Sequence, residues 1–170
     1  IKDARWVHFM YLDNNEFIDQ FKSIVLNKRK DQFFSADLSR RSVSDLNLTK
    51  YLAKIDFLVC STKELPSLFK SNKCKEFNAF SIKKLKNLSK IINYIVVHNK
   101  HKSLAFIYGK ITEVNNKNKV NNNNFHITGA GDTYTAALIN EFIINKMIDN
   151  KSISTAHKIA SKFCGGKIKI

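Results

Sequence analysis

The sequence predicts an α/β protein in which a mostly parallel sheet is covered by helices, and three observations carry that reading. Strand-like and helix-like segments alternate four times along the chain. Two of the strand-like segments, Asp56–Cys60 and Asn93–His98, are compact apolar runs of the kind parallel sheets bury on both faces. The segment Asn14–Lys28 sets Phe17, Ile18, Phe21, Ile24 and Val25 at helical spacing, giving one apolar face to lay against a sheet.

Taken in order, Trp6–Met10 is a short apolar run that reads as a strand, and the amphipathic Asn14–Lys28 helix follows it. Gln32–Leu38 reads as a second strand ending near Asp37, and Val43–Ala53 as a helix carrying Val43, Leu46, Leu48, Tyr51 and Leu52. Asp56–Cys60 is a strand, Ser61–Lys70 and Ile82–Lys90 are helices, and Asn93–His98 is the clearest buried strand. Leu104–Tyr108 and Lys110–Val114 flank Gly109 and read as a hairpin, a small antiparallel addition. Asn115–Asn124 is a polar Asn/Lys loop, and Asp132–Met147 and Ile153–Phe163 are two further helices.

The 170 residues suit a single domain with a real core, and a 44% hydrophobic fraction excludes a disordered chain. The longest apolar stretches are short and broken by Asn or Glu, so no membrane span is expected. Cys60, Cys74 and Cys164 are widely spaced and form no CxxC pair, which supports neither a disulfide framework nor a zinc site and is simplest in a reducing, cytoplasmic setting. The net charge of +15 would suit a nucleic-acid partner, but the lysines are scattered, Arg is confined to Arg5, Arg29, Arg40 and Arg41, and Asn is abundant throughout. A coding bias toward Lys, Asn and Ile explains this better than a nucleic-acid surface, which relies on Arg forks and interleaved aromatics.

One motif carries chemistry. Residues 128–133 read Thr-Gly-Ala-Gly-Asp-Thr and run into a helix that begins with small residues. Two glycines let the backbone approach a ligand and adopt angles closed to other residues. The helix start then offers free N–H groups and the positive end of the dipole, an anion site. A carboxylate set there makes sense if it takes a proton from a hydroxyl that attacks a phosphoryl group. On this reading Asp132 is a general base and the amides of Gly129, Ala130 and Gly131 stabilise the transferring charge. The plainer alternative is that Thr128 or Asp132 caps a helix after a glycine turn.

The stretch closely resembles the T-G-A-G-D signature of the PfkB/ribokinase family of carbohydrate and nucleoside kinases. Weaker likenesses run along the chain: Ser35–Arg40 to the family's strand ending D-x-N/S-x-R, Asp56–Glu64 to its D-hydrophobic-N-x-x-E segment, Ile95–Phe106 to its strand–turn–strand, and Ile153–Gly166 to its late Ala-rich helix. Tyr134 and the Asp-Leu-Ser stretch lean toward the adenosine-kinase-like branch. The resemblance implies a ribokinase-like (Rossmann-like) three-layer sandwich with the N-terminal part of the family fold missing. It implies phosphorylation of a sugar or nucleoside hydroxymethyl group by ATP with Mg²⁺. It places Thr128 in the phosphate loop, His98, Lys100, Ser161 and Cys164 by the nucleotide, and Glu64 at the metal.

The departures from the family pattern are specific. His126 stands where the family has an Asp of a monovalent-cation site. Ser61-Thr62-Lys63-Glu64 keeps the Glu of N-x-x-E without its Asn, and the same string is a helix capping box. His98-Asn99-Lys100 replaces a T-x-G turn, and Ser103 a later Gly. The family's N-terminal half, with the acceptor-binding residues, has no counterpart here, and the first residue is Ile1, so further chain upstream is expected. A half-fold would expose a sheet edge for association with another chain or a second copy. The rival reading is a non-catalytic remnant that keeps the fold as a binding or regulatory module.

Overall fold

The computed structural model describes residues 3–10, 15–37, 51–118 and 128–166. The elements run β1 (Trp6–Phe9), α1 (Asn15–Leu26), β2 (Phe33–Asp37), β3 (Phe57–Ser61), a 3₁₀ turn (Thr62–Glu64) leading into α2 (Leu65–Leu68), α3 (Ala79–Leu88), β4 (Tyr94–His98), β5 (Lys102–Ile107), β6 (Lys110–Asn115), α4 (Ala130–Asn145) and α5 (Asn150–Cys164). The strands form one sheet in sequential order from β1 to β6. β1 to β4 pair in parallel, with described helices connecting β1 to β2 and β3 to β4, so the expected α/β architecture is present.

Two compact units compose the chain, one of Ile1–His98 with Ala105–Ile111, the other of Asn99–Leu104 with Thr112–Ile170. In the first, the parallel strands are buried almost end to end: Phe57 to Cys60 and Ile95 to Val97 are fully covered. Phe9 of β1 meets Phe21 of α1 edge-on at 4.9 Å and Phe34 of β2 at 5.4 Å, which seats the apolar face of α1. Asp56, just before β3, accepts the Phe34 N–H at 2.7 Å and an ion-paired hydrogen bond from Lys28. Lys28 also lies over the Phe34 ring at 5.3 Å, so one carboxylate ties the end of α1 to two strands.

The hairpin expected around Gly109 is found. Tyr108 and Gly109 both have positive φ, 48° and 78°, as a two-residue type I′ turn requires. Tyr108 tolerates that angle because it is held: its N–H donates to the Asn93 carbonyl at 2.9 Å, and its hydroxyl lies 3.2 Å from that of Tyr94. Burial and the bond to Tyr108 push the Tyr94 phenol up to about 12.

In the second unit α4 and α5 pack together, joined through Lys146, whose left-handed φ of 58° ends α4. The buried face of α5 carries Ser152, Ile153, Ala156 and His157, and that of α4 includes Tyr134, Ala137, Leu138 and Phe142.

Several boundaries differ from expectation. α3 starts at Ala79 rather than Ile82 because the Asn78 side chain accepts the Ser81 N–H at 2.8 Å. α5 starts at Asn150 rather than Ile153 because Asp149 does the same for Ser152. The helix expected over Ser61–Lys70 is a strand end, a 3₁₀ turn and one helical turn, with Pro66 in that first turn. Of the helix expected over Val43–Ala53, residues 43–50 lie outside the described residues, as do His126, Arg40 and part of the Asn-rich loop. No helix among the described residues is long and apolar enough to cross a membrane.

Replacing Asp56 with Ala strands the Phe34 N–H and leaves the Lys28 ammonium with the Lys54 carbonyl and without its counter-ion, and is expected to lower the unfolding free energy by about 2 kcal/mol in a urea titration. An unchanged midpoint would show that solvent satisfies both groups equally well.

Candidate active site

The Thr128–Thr133 stretch forms a glycine turn followed at once by a helix. Gly129 is the N-cap of α4 with φ 85° and ψ −2°, a left-handed conformation that disfavours any side chain. The first helical bond runs from the Thr133 N–H to the Gly129 carbonyl at 2.9 Å, doubled by the Thr133 hydroxyl at 2.8 Å. The amides of Gly129, Ala130, Gly131 and Asp132 precede that bond and have no partner within the helix. Gly131 has open space where a Cβ would stand, and Asp132 lies in the first helical turn, exposed.

The capping alternative can be weighed against caps elsewhere in the chain. Asn78 and Asp149, each at an N-cap, accept an amide three residues on, and Glu64, three residues after Ser61, reaches back to the Ser61 N–H at 2.6 Å. Asp132 occupies the same position relative to Gly129 as Glu64 does to Ser61, yet its carboxylate accepts no hydrogen bond among the described residues. It faces outward beside four free amides.

Phe163, near the end of α5, lies against the turn: a Cβ on Gly129 would stand 3.4 Å from its ring. Ser161 and Cys164 flank Phe163 on that last helical turn, so the late helix ends beside the motif. Cys164 is partly covered, and burial raises its thiol above the ordinary range. Lys100 is exposed in the turn between β4 and β5. That turn is closed by side chains in place of glycines: Asn99 Oδ1 accepts from the N–H of His101 at 2.8 Å and of Lys102 at 2.9 Å, and Asn116 donates to the Lys100 carbonyl at 3.1 Å. The Lys102 ammonium is paired with Glu113 at 2.9 Å.

Glu64 and His98 belong to the first unit. Ser61 and His98 are register partners, which puts both residues at the carboxyl ends of β3 and β4, the end where open α/β sheets bind ligands. One Glu64 oxygen is already used by the Ser61 N–H, so the capping role is present whatever else the carboxylate does. Among the described residues no group of three His, Cys, Asp or Glu could hold a metal ion by itself.

The sequence reading missed a buried polar cluster. The Ser103 hydroxyl lies 2.7 Å from the Tyr134 hydroxyl and 2.9 Å from Nε2 of His157, and all three side chains are buried. Tyr134 and His157 also stack obliquely at 5.0 Å between ring centroids. The available signal was a His on the apolar face of α5, between Ile153 and Ala160, which needs a polar partner to be buried there. His157 also borders a cavity of about 440 Å³ whose wall includes Glu113, Lys117, Ser154 and Lys158.

No protein-family model matches the chain, and none of the curated proteins matches it. Solved structures do. A ribokinase II described as putative, from E. coli, superposes with a TM-score of 0.73 at 16% identity, covering 96% of this chain and 53% of that one. Trypanosoma brucei brucei adenosine kinase gives 0.72 at 15% identity over 96% and 52%. A pyrophosphate-dependent kinase of the ribokinase family, solved with a pyrophosphate analogue and myo-inositol, gives 0.67 at 20% identity over 95% and 58%. The chain has the ribokinase-like fold and spans between 52% and 58% of the length of these structures.

Two outcomes follow. Gly129→Ala forces a left-handed alanine against Phe163 and should cost about 1–2 kcal/mol in thermal unfolding, while Gly131→Ala, at a helical angle with space for its Cβ, should be neutral or stabilising by up to about 1 kcal/mol. Burial pushes the His157 imidazole down to about 4 from 6.5. Between those values the unfolded chain takes up a proton that the folded chain does not, so stability is fully present above pH 6.5 and falls as pH drops toward 4, by up to about 3 kcal/mol. Urea unfolding at pH 7, 5.5 and 4 should show this loss reduced in His157→Gln; equal slopes would refute the assignment.

Proposed function

We propose that this chain is the catalytic portion of a PfkB-type kinase that transfers the γ-phosphoryl of ATP to a hydroxymethyl group of a sugar or nucleoside. The observation that carries the reading is the exposed Asp132 carboxylate beside the four amides of Gly129–Asp132, free of the hydrogen bond that a cap would make. The fold it shares with ribokinase-family kinases supports the same reading.

On this reading Asp132 takes the proton from the acceptor hydroxyl as it attacks, and the aligned amides of Gly129, Ala130 and Gly131 stabilise charge on the phosphoryl oxygens as it moves. Thr128 leads the backbone into the turn. Phe163 packs against Gly129, with Ser161 and Cys164 on the same helical turn, and His98 and Lys100 are the further residues this reading assigns to the nucleotide. When bound, ATP supplies the phosphoryl group and Mg²⁺ neutralises its charge; Glu64 would hold the ion through water, since Mg²⁺ keeps several waters and rides largely on phosphates. The acceptor pocket belongs to chain outside these residues, and β1, an edge of the sheet, is where such chain or a second copy would pair.

The second reading, a non-catalytic module, draws on the turn at His98–Lys102, which is built by Asn99 where a glycine cradle would let phosphate approach more closely. Isothermal titration with Mg·ATP, and in a parallel arm with Mg·pyrophosphate, separates the two, because a module that lost its donor site binds neither. In the full protein Asp132→Asn is expected to lower turnover by roughly 10³-fold with donor affinity within about twofold of the parent. Turnover that survives the substitution would remove Asp132 from the role of base.

A further inference from the structure

We propose that Tyr134, Ser103 and His157 form a positioning relay that fixes the start of α4, and with it the Gly129–Asp132 amides and the Asp132 carboxylate, onto β5 and α5. The inference that this matters for phosphoryl transfer rests on the function proposed above; the relay itself does not.

The turn cannot position itself. Gly129, Ala130 and Gly131 offer no side chain with which to grip a neighbour, and the two bonds from Thr133 to the Gly129 carbonyl stay within the turn. Its orientation must come from contacts just outside it. One is Phe163 over Gly129. Another is Tyr134, two residues after Asp132 on the same helical turn, whose hydroxyl reaches Ser103 at the start of β5. Ser103 in turn bonds His157 on α5, so three elements distant in sequence meet at one buried oxygen. Shifting a base by about 1 Å can cost two orders of magnitude in rate, so a tether one turn away is well placed to matter.

The direction of the relay is set by the tautomer of His157. With its proton on Nδ1 the neutral imidazole accepts from Ser103, whose oxygen accepts from Tyr134; with its proton on Nε2 it donates to Ser103 Oγ instead. The charged groups facing the His157 side are Glu113 and Lys117 around the cavity and Lys158 on its own helix, with Lys102 paired to Glu113. A protonated His157 would have to donate from Nε2, and the Ser103 hydrogen would then turn toward Tyr134, reversing the chain.

The test is residue-resolved amide hydrogen exchange at pH 7 on the protein without ligand, reading the Thr133 amide against the Val96 amide of β4 as an internal reference. Tyr134→Phe keeps the ring and removes the hydroxyl; His157→Leu removes the acceptor; His157→Gln sets an amide oxygen near the place of Nε2. Loss of one buried hydrogen bond should speed Thr133 exchange five- to tenfold in Tyr134→Phe and His157→Leu, with Val96 unchanged and His157→Gln within about twofold of the parent. Ser103→Ala replaces His157→Leu if that variant does not fold, with the same rise expected. An unchanged Thr133 rate in either deletion, or a His157→Gln rate equal to that of His157→Leu, overturns the relay. Titration of the parent with Mg·ATP is run alongside: faster exchange in the deletions with no Mg·ATP binding by the parent leaves the relay standing and sinks the kinase reading.

Discussion

The site depends on a backbone angle. Gly129 begins α4 at φ 85°, and at that turn the amides of Gly129–Asp132 precede the first helical bond, with the Asp132 side chain exposed beside them. A residue with a Cβ would meet two obstacles: the left-handed region itself, and the Phe163 ring at 3.4 Å. The last turn of α5 brings Phe163 against the glycine, and the helix ends at a Gly165 C-cap followed by Gly166 at φ 68°.

A turn without side chains is well suited to an anion, because nothing stands between the amides and a ligand, and poorly suited to holding its own position. The rest of the second unit supplies what the turn lacks. The Ser103 hydroxyl is spent on Tyr134 and His157. A few residues earlier, Asn99 closes an Asx turn, and Asn116 braces the Lys100 carbonyl. Both segments are shaped by side-chain hydrogen bonds, and none of these bonds engages the Asp132 carboxylate or the amides beside it.

What could be read in the sequence was local. The strands at Phe57–Ser61 and Tyr94–His98 were legible because burial on both faces leaves an unbroken apolar run, and the hairpin because Gly109 marks a turn that needs positive φ. The glycine turn and helix start at 128–133 were legible because those residues are contiguous. Helix starts were misplaced by the two or three residues over which Asn78, Asp149 and Gly129 set the true caps, since apolar periodicity does not register a polar first turn. The run from Ser61 was misjudged because a capping box and a Pro in the first turn promise a longer helix than the single turn that Leu65–Leu68 makes. The Ser103 cluster was not legible at all: its members lie 31 and 54 residues apart, and only the packing of β5, α4 and α5 brings them to one point.

The meaning of Asp132 comes from comparing it with the other carboxylates. Asp56 accepts from Lys28 and the Phe34 amide, Asp149 from Ser152, Glu64 from Ser61 and Glu113 from Lys102. Each of these is engaged in holding the fold, and removing it would leave a donor short of an acceptor. Asp132 holds nothing in place among the described residues, yet it sits in the first turn of a well-packed helix, where the dipole and the free amides favour a bound anion as much as they favour the carboxylate itself. A negative side chain and a negative ligand compete for that spot, and putting both there raises the energy of the complex while the carboxylate stays charged. On the function proposed above, that conflict would be relieved when a hydroxyl is delivered to Asp132, since a carboxylate that accepts its proton no longer repels the phosphoryl group arriving at the amides.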